Sequence, residues 1–176
     1  DQIDRVLVRH EASVGYSTAL WHHVLHAPPL FDRDGWYGRL RAAADRPFPP
    51  ELRRAIVAKN HPLLRRALSS YRTQIERAVR RADAVSVQHR AAALLASYFD
   101  VLFAVNELPH PGEKRLLAFA VARCARRPPD LAERIEALLA IAAAPPTPAV
   151  LEALDALEAA LDALLATEGL LPTEGG

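Results

Sequence analysis

Apolar residues recur at three- and four-residue spacing through most of the chain, and nowhere do apolar and polar residues alternate over a strand's length. That period gathers one apolar stripe along a helix, and it predicts an all-α fold, a bundle of about seven or eight helices. The strongest stretch runs from Asp83 to Leu117, where Val87, Ala91, Leu94, Leu95, Tyr98, Val101, Leu102 and Val105 share one side of a core helix. Asp83 stands where a carboxylate caps free N–H groups. Asn106 falls on the apolar stripe, where a buried amide must find partners. Pro109, Pro111 and Gly112 then break the helix and deliver Glu113, Lys114 and Arg115 to the mouth of a second apolar helix, Leu116 to Cys124.

The flanking segments read the same way. Ile3, Val6, Leu7 and His10 form an opening helical segment that ends by Gly15, and Ser17 or Thr18 caps a helix from Ala19 to His26. In the turn Asp32 to Gly35 either aspartate can cap a short helix, Trp36 to Ala44, with Trp21, Trp36 and Tyr37 expected in the core. From Glu51 to Arg81 the pattern is helical, with a break expected near Asn60 and His61 because Pro62 cannot continue the ladder. Asp130 and Glu133 have capping-box spacing for Leu131 to Ala143, and Thr147 is expected to cap a last helix. There Val150, Leu154, Leu157, Leu161 and Leu164 face inward while Glu152, Asp155, Glu158 and Asp162 stay outside. The organisation expected is a body over residues 1–127 and an acidic helical hairpin over 128–176. That hairpin either packs on the body or serves association, including a homodimer through its last helix.

Hydrophobic content of 51% with 24% charge places the 176 residues among globular chains. A lone Cys124 forms no internal disulfide and suits a reducing compartment, so a cytoplasmic protein without a membrane partner is expected. No Met occurs, which suggests a fragment. The net charge of +1 conceals an asymmetry: residues 1–127 carry 21 Lys and Arg against 12 Asp and Glu, and residues 128–176 carry 1 against 9. Such a distribution suits either a polyanionic ligand or two surfaces that attract each other.

Candidate chemistry is sparse. Two-metal catalysis needs paired carboxylates, and the one Asp-x-Asp, Asp32 with Asp34, lies in a turn. His22 and His26 are one helical turn apart with His23 nearby, but zinc needs three or four ligands and His23 occupies the place of the general-base Glu in a His-Glu-x-x-His pattern, so no metal site is expected. No catalytic residue is assigned. Lys114 is the best phosphate candidate, an ammonium beside the free N–H groups of a helix start. Arg54 and His61 have the spacing of HEPN-type helical ribonucleases, which is an alternative reading, as is a non-catalytic helical interaction domain.

DVLFAVNELPHPGEKRLL, from Asp100 to Leu117, resembles the LLFALNRRYHPGEKRL signature in the C-terminal helical region of one group of polymerase-β-type nucleotidyltransferases. Arg81-Ala82-Asp83 is similar to that group's RGD step, Pro29 to Gly35 to its LYDPDG turn, and Asp1 to Val6 to the RDLDRV that follows its last catalytic strand. The resemblance covers roughly residues 1–127. It implies the helical substrate- and nucleotide-binding portion of an enzyme that moves a nucleotidyl group from an NTP with Mg2+. The catalytic strands would lie in an upstream domain. By the same resemblance Lys114 would contact the triphosphate while Asn106, Glu113 and Asp83 shape the pocket. The chain departs from the signature where RRY becomes Glu107-Leu108-Pro109, which removes two candidate anion contacts.

Overall fold

The computed structural model describes residues 2–171; Asp1, which opens the RDLDRV-like stretch, and residues 172–176 lie outside them. The described chain is an all-α bundle: α1 Gln2–Leu7, α2 Ala19–His26, α3 Trp36–Ala44, α4 Pro50–Arg65, α5 Tyr71–Arg80, α6 Ala84–Val105, α7 Leu116–Arg123, α8 Leu131–Ala143 and α9 Ala149–Thr167. No helix is long and apolar enough to cross a membrane among the described residues.

Helix α6 is the axis of the bundle. From Ser97 to Val105 every residue is buried, so this half of the helix is enclosed on all sides rather than along one stripe. Its packing against α4 and α5, together with α7, α8 and α9, forms one continuous apolar cluster from Val57 to Leu165. A smaller cluster joins α1, α2, α3 and the start of α4 to α6 through Ala104, with Trp21 buried and its indole donating to the Ala44 carbonyl at 2.9 Å. Residues of α8 and α9 share the larger cluster with α6, so the hairpin is packed on the body.

Several helix ends depart from their expected chemistry. α4 runs through Pro62, and the chain breaks instead at residues 66–70. Leu64, His61, Asn60 and Val57 are buried on both sides of the proline, and that burial outweighs the one missing N–H donor. Neither Asp130 nor Thr147 caps with its side chain: Asp130 stands in the left-handed region at φ 56°, and Pro148 occupies the cap of α9. Asp32 does hold the start of α3, accepting from Tyr37 N at 2.9 Å and Gly38 N at 3.0 Å. Trp36, the first residue of α3, is exposed rather than in the core, and Tyr37 is half-buried, its hydroxyl donating to the Val24 carbonyl at 2.9 Å at the end of α2.

Of the acidic flank of α9, Glu152 stays outside, but Asp155, Glu158 and Asp162 turn toward the body. These three carboxylates face the arginines of α4 and α5: Asp155 pairs with Arg72 at 2.6 Å, Asp162 with Arg65, Arg66 and His61, and Glu158 with Arg65 at 3.5 Å. Glu158 is only 2% exposed, and burial pushes its carboxyl up to about 8. The charge asymmetry of the sequence is therefore spent largely within the molecule, on the second of the two alternatives it offered. Leu165, not Leu164, completes the buried stripe. Because Leu154 is fully buried between α8 and the rest of the cluster, Leu154→Ala should lower unfolding free energy by about 2 to 5 kcal/mol in urea titrations, with far-UV helicity retained.

Candidate functional site

Two loops meet where α6 is most enclosed: residues 8–18 between α1 and α2, and residues 106–115 between α6 and α7. The first is pinned by Asp100, one charge in an otherwise apolar run of α6. Its carboxylate accepts from Ser17 N at 3.0 Å, Ser17 Oγ at 2.6 Å and Asn60 Nδ2 at 3.2 Å. Asn60 is buried too, and its Oδ1 accepts from Gly15 N at 2.8 Å while its amide donates to the Ser13 and Ile56 carbonyls. No cation among the described residues touches Asp100, and burial raises it to about 7 against the pull of the Ser17 and Asn60 donors.

This lattice fixes Tyr16. Its two neighbours have their backbone N–H groups held, Gly15 by Asn60 and Ser17 by Asp100, and between them Tyr16 adopts φ 54°, a left-handed conformation disfavoured by about 1 kcal/mol or more for a side-chain-bearing residue. Gly15, at φ 67°, sits tight against α6, where a Cβ would lie 3.2 Å from the Ala96 Cβ. Thr18, rather than capping α2, accepts from His110 N at 2.8 Å, tying the first loop to the second. His110 stacks edge-on between Tyr16 and Phe103, its Nδ1 accepts from Gly112 N at 3.0 Å, and its buried Nε2 has no partner among the described residues. Burial, with the nearby His22, holds its pKa down near 4.

The pinned loops frame two cavities that share Tyr16 and Glu113. One, of about 380 Å³, is lined by Tyr16, His23, Pro111, Gly112, Glu113 and Lys114. The other, of about 560 Å³, opens between α6, α7 and α8. Glu113 and Lys114 thus lie together, both exposed, on a turn that ends at Arg115 with φ 52° before α7 begins. Asn106 is half-buried and lies apart from them: its amide donates to the Leu102 and Arg126 carbonyls and its Oδ1 accepts from Arg126 N at 2.9 Å, closing α6 onto the segment after α7. Asp83 caps the other end of α6, accepting from Ser86 N at 3.0 Å, and lines neither cavity. Of the four residues picked out from the sequence, the structure brings two together.

Elsewhere, His22 and His26 stack at 4.1 Å, and the Nδ1 atoms of His23 and His26 engage carbonyls of their own helix. Among the described residues no three His, Cys, Asp or Glu side chains gather as metal ligands do. Arg54 is exposed beside Glu51, whereas His61 is buried against Asp162 at 2.5 Å. Tyr16 and Asn60 carry no sequence motif of their own; Asp100 and His110 lie within the Asp100 to Leu117 stretch, but its pattern does not single them out. The available signal was Asp100, the one charge between Arg90 and Glu107.

No protein-family model matches the chain, and neither a curated protein nor a solved structure matches it.

The raised carboxyl of Asp100 sets a pH dependence. The fold favours the protonated acid, so this contribution to stability is fully present below about pH 4 and is lost as pH rises through about 7. Asp100→Asn lacks it. Urea unfolding of both proteins from pH 4 to 8 should show the wild type losing roughly 2 to 4 kcal/mol relative to the variant across that window.

Proposed function

We propose that this chain is the helical nucleotide-contacting portion of a polymerase-β-type nucleotidyltransferase, working with an upstream catalytic domain that would hold Mg2+ and the NTP. The observation that carries the reading is the placement of Lys114. It lies on the braced turn after Pro111-Gly112, lines a cavity, and makes no ion pair among the described residues. The resemblance of residues 100–117 to the nucleotidyltransferase signature centres on this turn. A fixed loop with an unpaired ammonium and neighbouring backbone N–H groups suits a phosphate oxygen. Gly112 holds φ 94° in this turn, a conformation that side-chain-bearing residues rarely adopt.

The chain supplies no paired metal-binding carboxylates in this reading, because Asp32 is engaged as the cap of α3. Its contribution is to hold phosphate and to present an acceptor, with bond-making left to the upstream domain. Arg126 and Arg53 do not compete for the phosphate role, being tied to Glu168 at 3.0 Å and 3.1 Å.

Lys114→Ala should weaken triphosphate binding about tenfold to a hundredfold, the scale of one charged hydrogen bond. Its side chain is exposed, so stability should change by about 0.5 kcal/mol or less. Calorimetric titration of NTP and a thermal melt check both, with Arg115→Ala as the neighbouring-charge control. Equal losses in the two variants, or none in Lys114→Ala, overturn the reading.

A further inference from the structure

We propose that the larger cavity is a binding site for a small apolar or aromatic molecule carrying one protonated amine, its body between α6 and α8 and its amine at Glu113. The volume, about 560 Å³, falls in the usual range of small-molecule pockets, roughly 300 to 1,000 Å³. Alanines make the space: Ala92 and Ala96 lie one turn apart on α6, facing Ala142 and Ala143 on α8, where larger side chains would close the gap. Leucines, Phe99 and Ile135 supply the remaining carbon wall.

Charge chooses the occupant. The chain has 22 Lys and Arg, yet none lines this cavity. An anion entering it would lose hydration and meet no cation, so a nucleotide is excluded from this space. A cationic head meets Glu113, which is exposed at the mouth and makes no ion pair among the described residues. Beside it stands the Tyr16 hydroxyl, which makes no hydrogen bond to the described protein and remains a donor at neutral pH, its proton held by burial and by the charges of Glu113 and Asp100. The strained, doubly clamped backbone at Tyr16 fixes that ring at the border of the cavity. The site needs no NTP and stands independently of the nucleotide reading.

The test uses three matched indoles titrated calorimetrically into the full chain: tryptamine, 3-ethylindole and indole-3-propionate. Tryptamine should bind at least about fivefold tighter than the acid, with the margin shrinking as salt is raised. Glu113→Gln should erase that margin without abolishing binding of 3-ethylindole. Ala92→Trp should fill the cavity and abolish binding of all three; Ala143→Trp, reaching in from α8, serves if the first variant fails to fold. The proposal is overturned if the amine does not bind, if amine and acid bind alike, or if neither tryptophan variant reduces binding. Lys114 does not line this cavity, so Lys114→Ala should leave tryptamine affinity unchanged. Unchanged NTP affinity in Lys114→Ala alone then counts against the nucleotide reading, and absence of tryptamine binding to the wild-type chain alone counts against this one.

Discussion

A single carboxylate, Asp100, sets the arrangement of everything around the candidate site. Helix α6 is closed in on every side at this point, so an ionisable group there has nowhere to reach water. It is tolerated because three donors converge on it, two from Ser17 and one from Asn60. In return it holds the chain between α1 and α2 against α4 and α6, two helices whose residues also share the larger apolar cluster. Thr18 extends the lattice to His110, and so to the loop that carries Glu113 and Lys114. Residues distant in sequence are placed by this chain of hydrogen bonds rather than by packing alone.

A second polar system acts on the far side. The seam between α9 and the α4–α5 pair carries His61, Arg65, Arg72, Asp155, Glu158 and Asp162. Its members lie between half-exposed and buried, so salt screens some of these pairs weakly and others strongly. The imidazole of His61, kept neutral chiefly by burial, donates to an Asp162 carboxylate held ionised by His61 and Arg65 despite its own burial. The seam accounts for a basic body and an acidic tail coexisting in a nearly neutral protein.

Much of this was legible in the sequence. α2, α3 and α8 begin and end where periodicity puts them, with Asp32 holding the start of α3, and Asp83 and Asn106 terminate α6 by the hydrogen bonds their chemistry demands. The site was only half legible. Glu113 and Lys114 follow from the proline-glycine break, but Tyr16 gains its place from Asn60 and Asp100, 44 and 84 positions later in the chain, and no local pattern encodes that. Pro62 shows the opposite failure. A rule about one missing donor was outvoted by the burial of its neighbours.

The left-handed residues carry a consequence for the molecule's history. His10, Tyr16, Ala82, Glu107, Arg115 and Asp130 all hold positive φ without being glycine. At about 1 kcal/mol each, their combined strain approaches the net stability of an ordinary domain, about 5 to 15 kcal/mol. Glycine at the helix ends among them would relieve that strain at little steric cost, yet it would also loosen the unfolded and the native chain alike. The protein thus holds its loops by stiffness instead of by freedom, and its turns are rigid supports on which side chains can be exchanged while the backbone path stays the same.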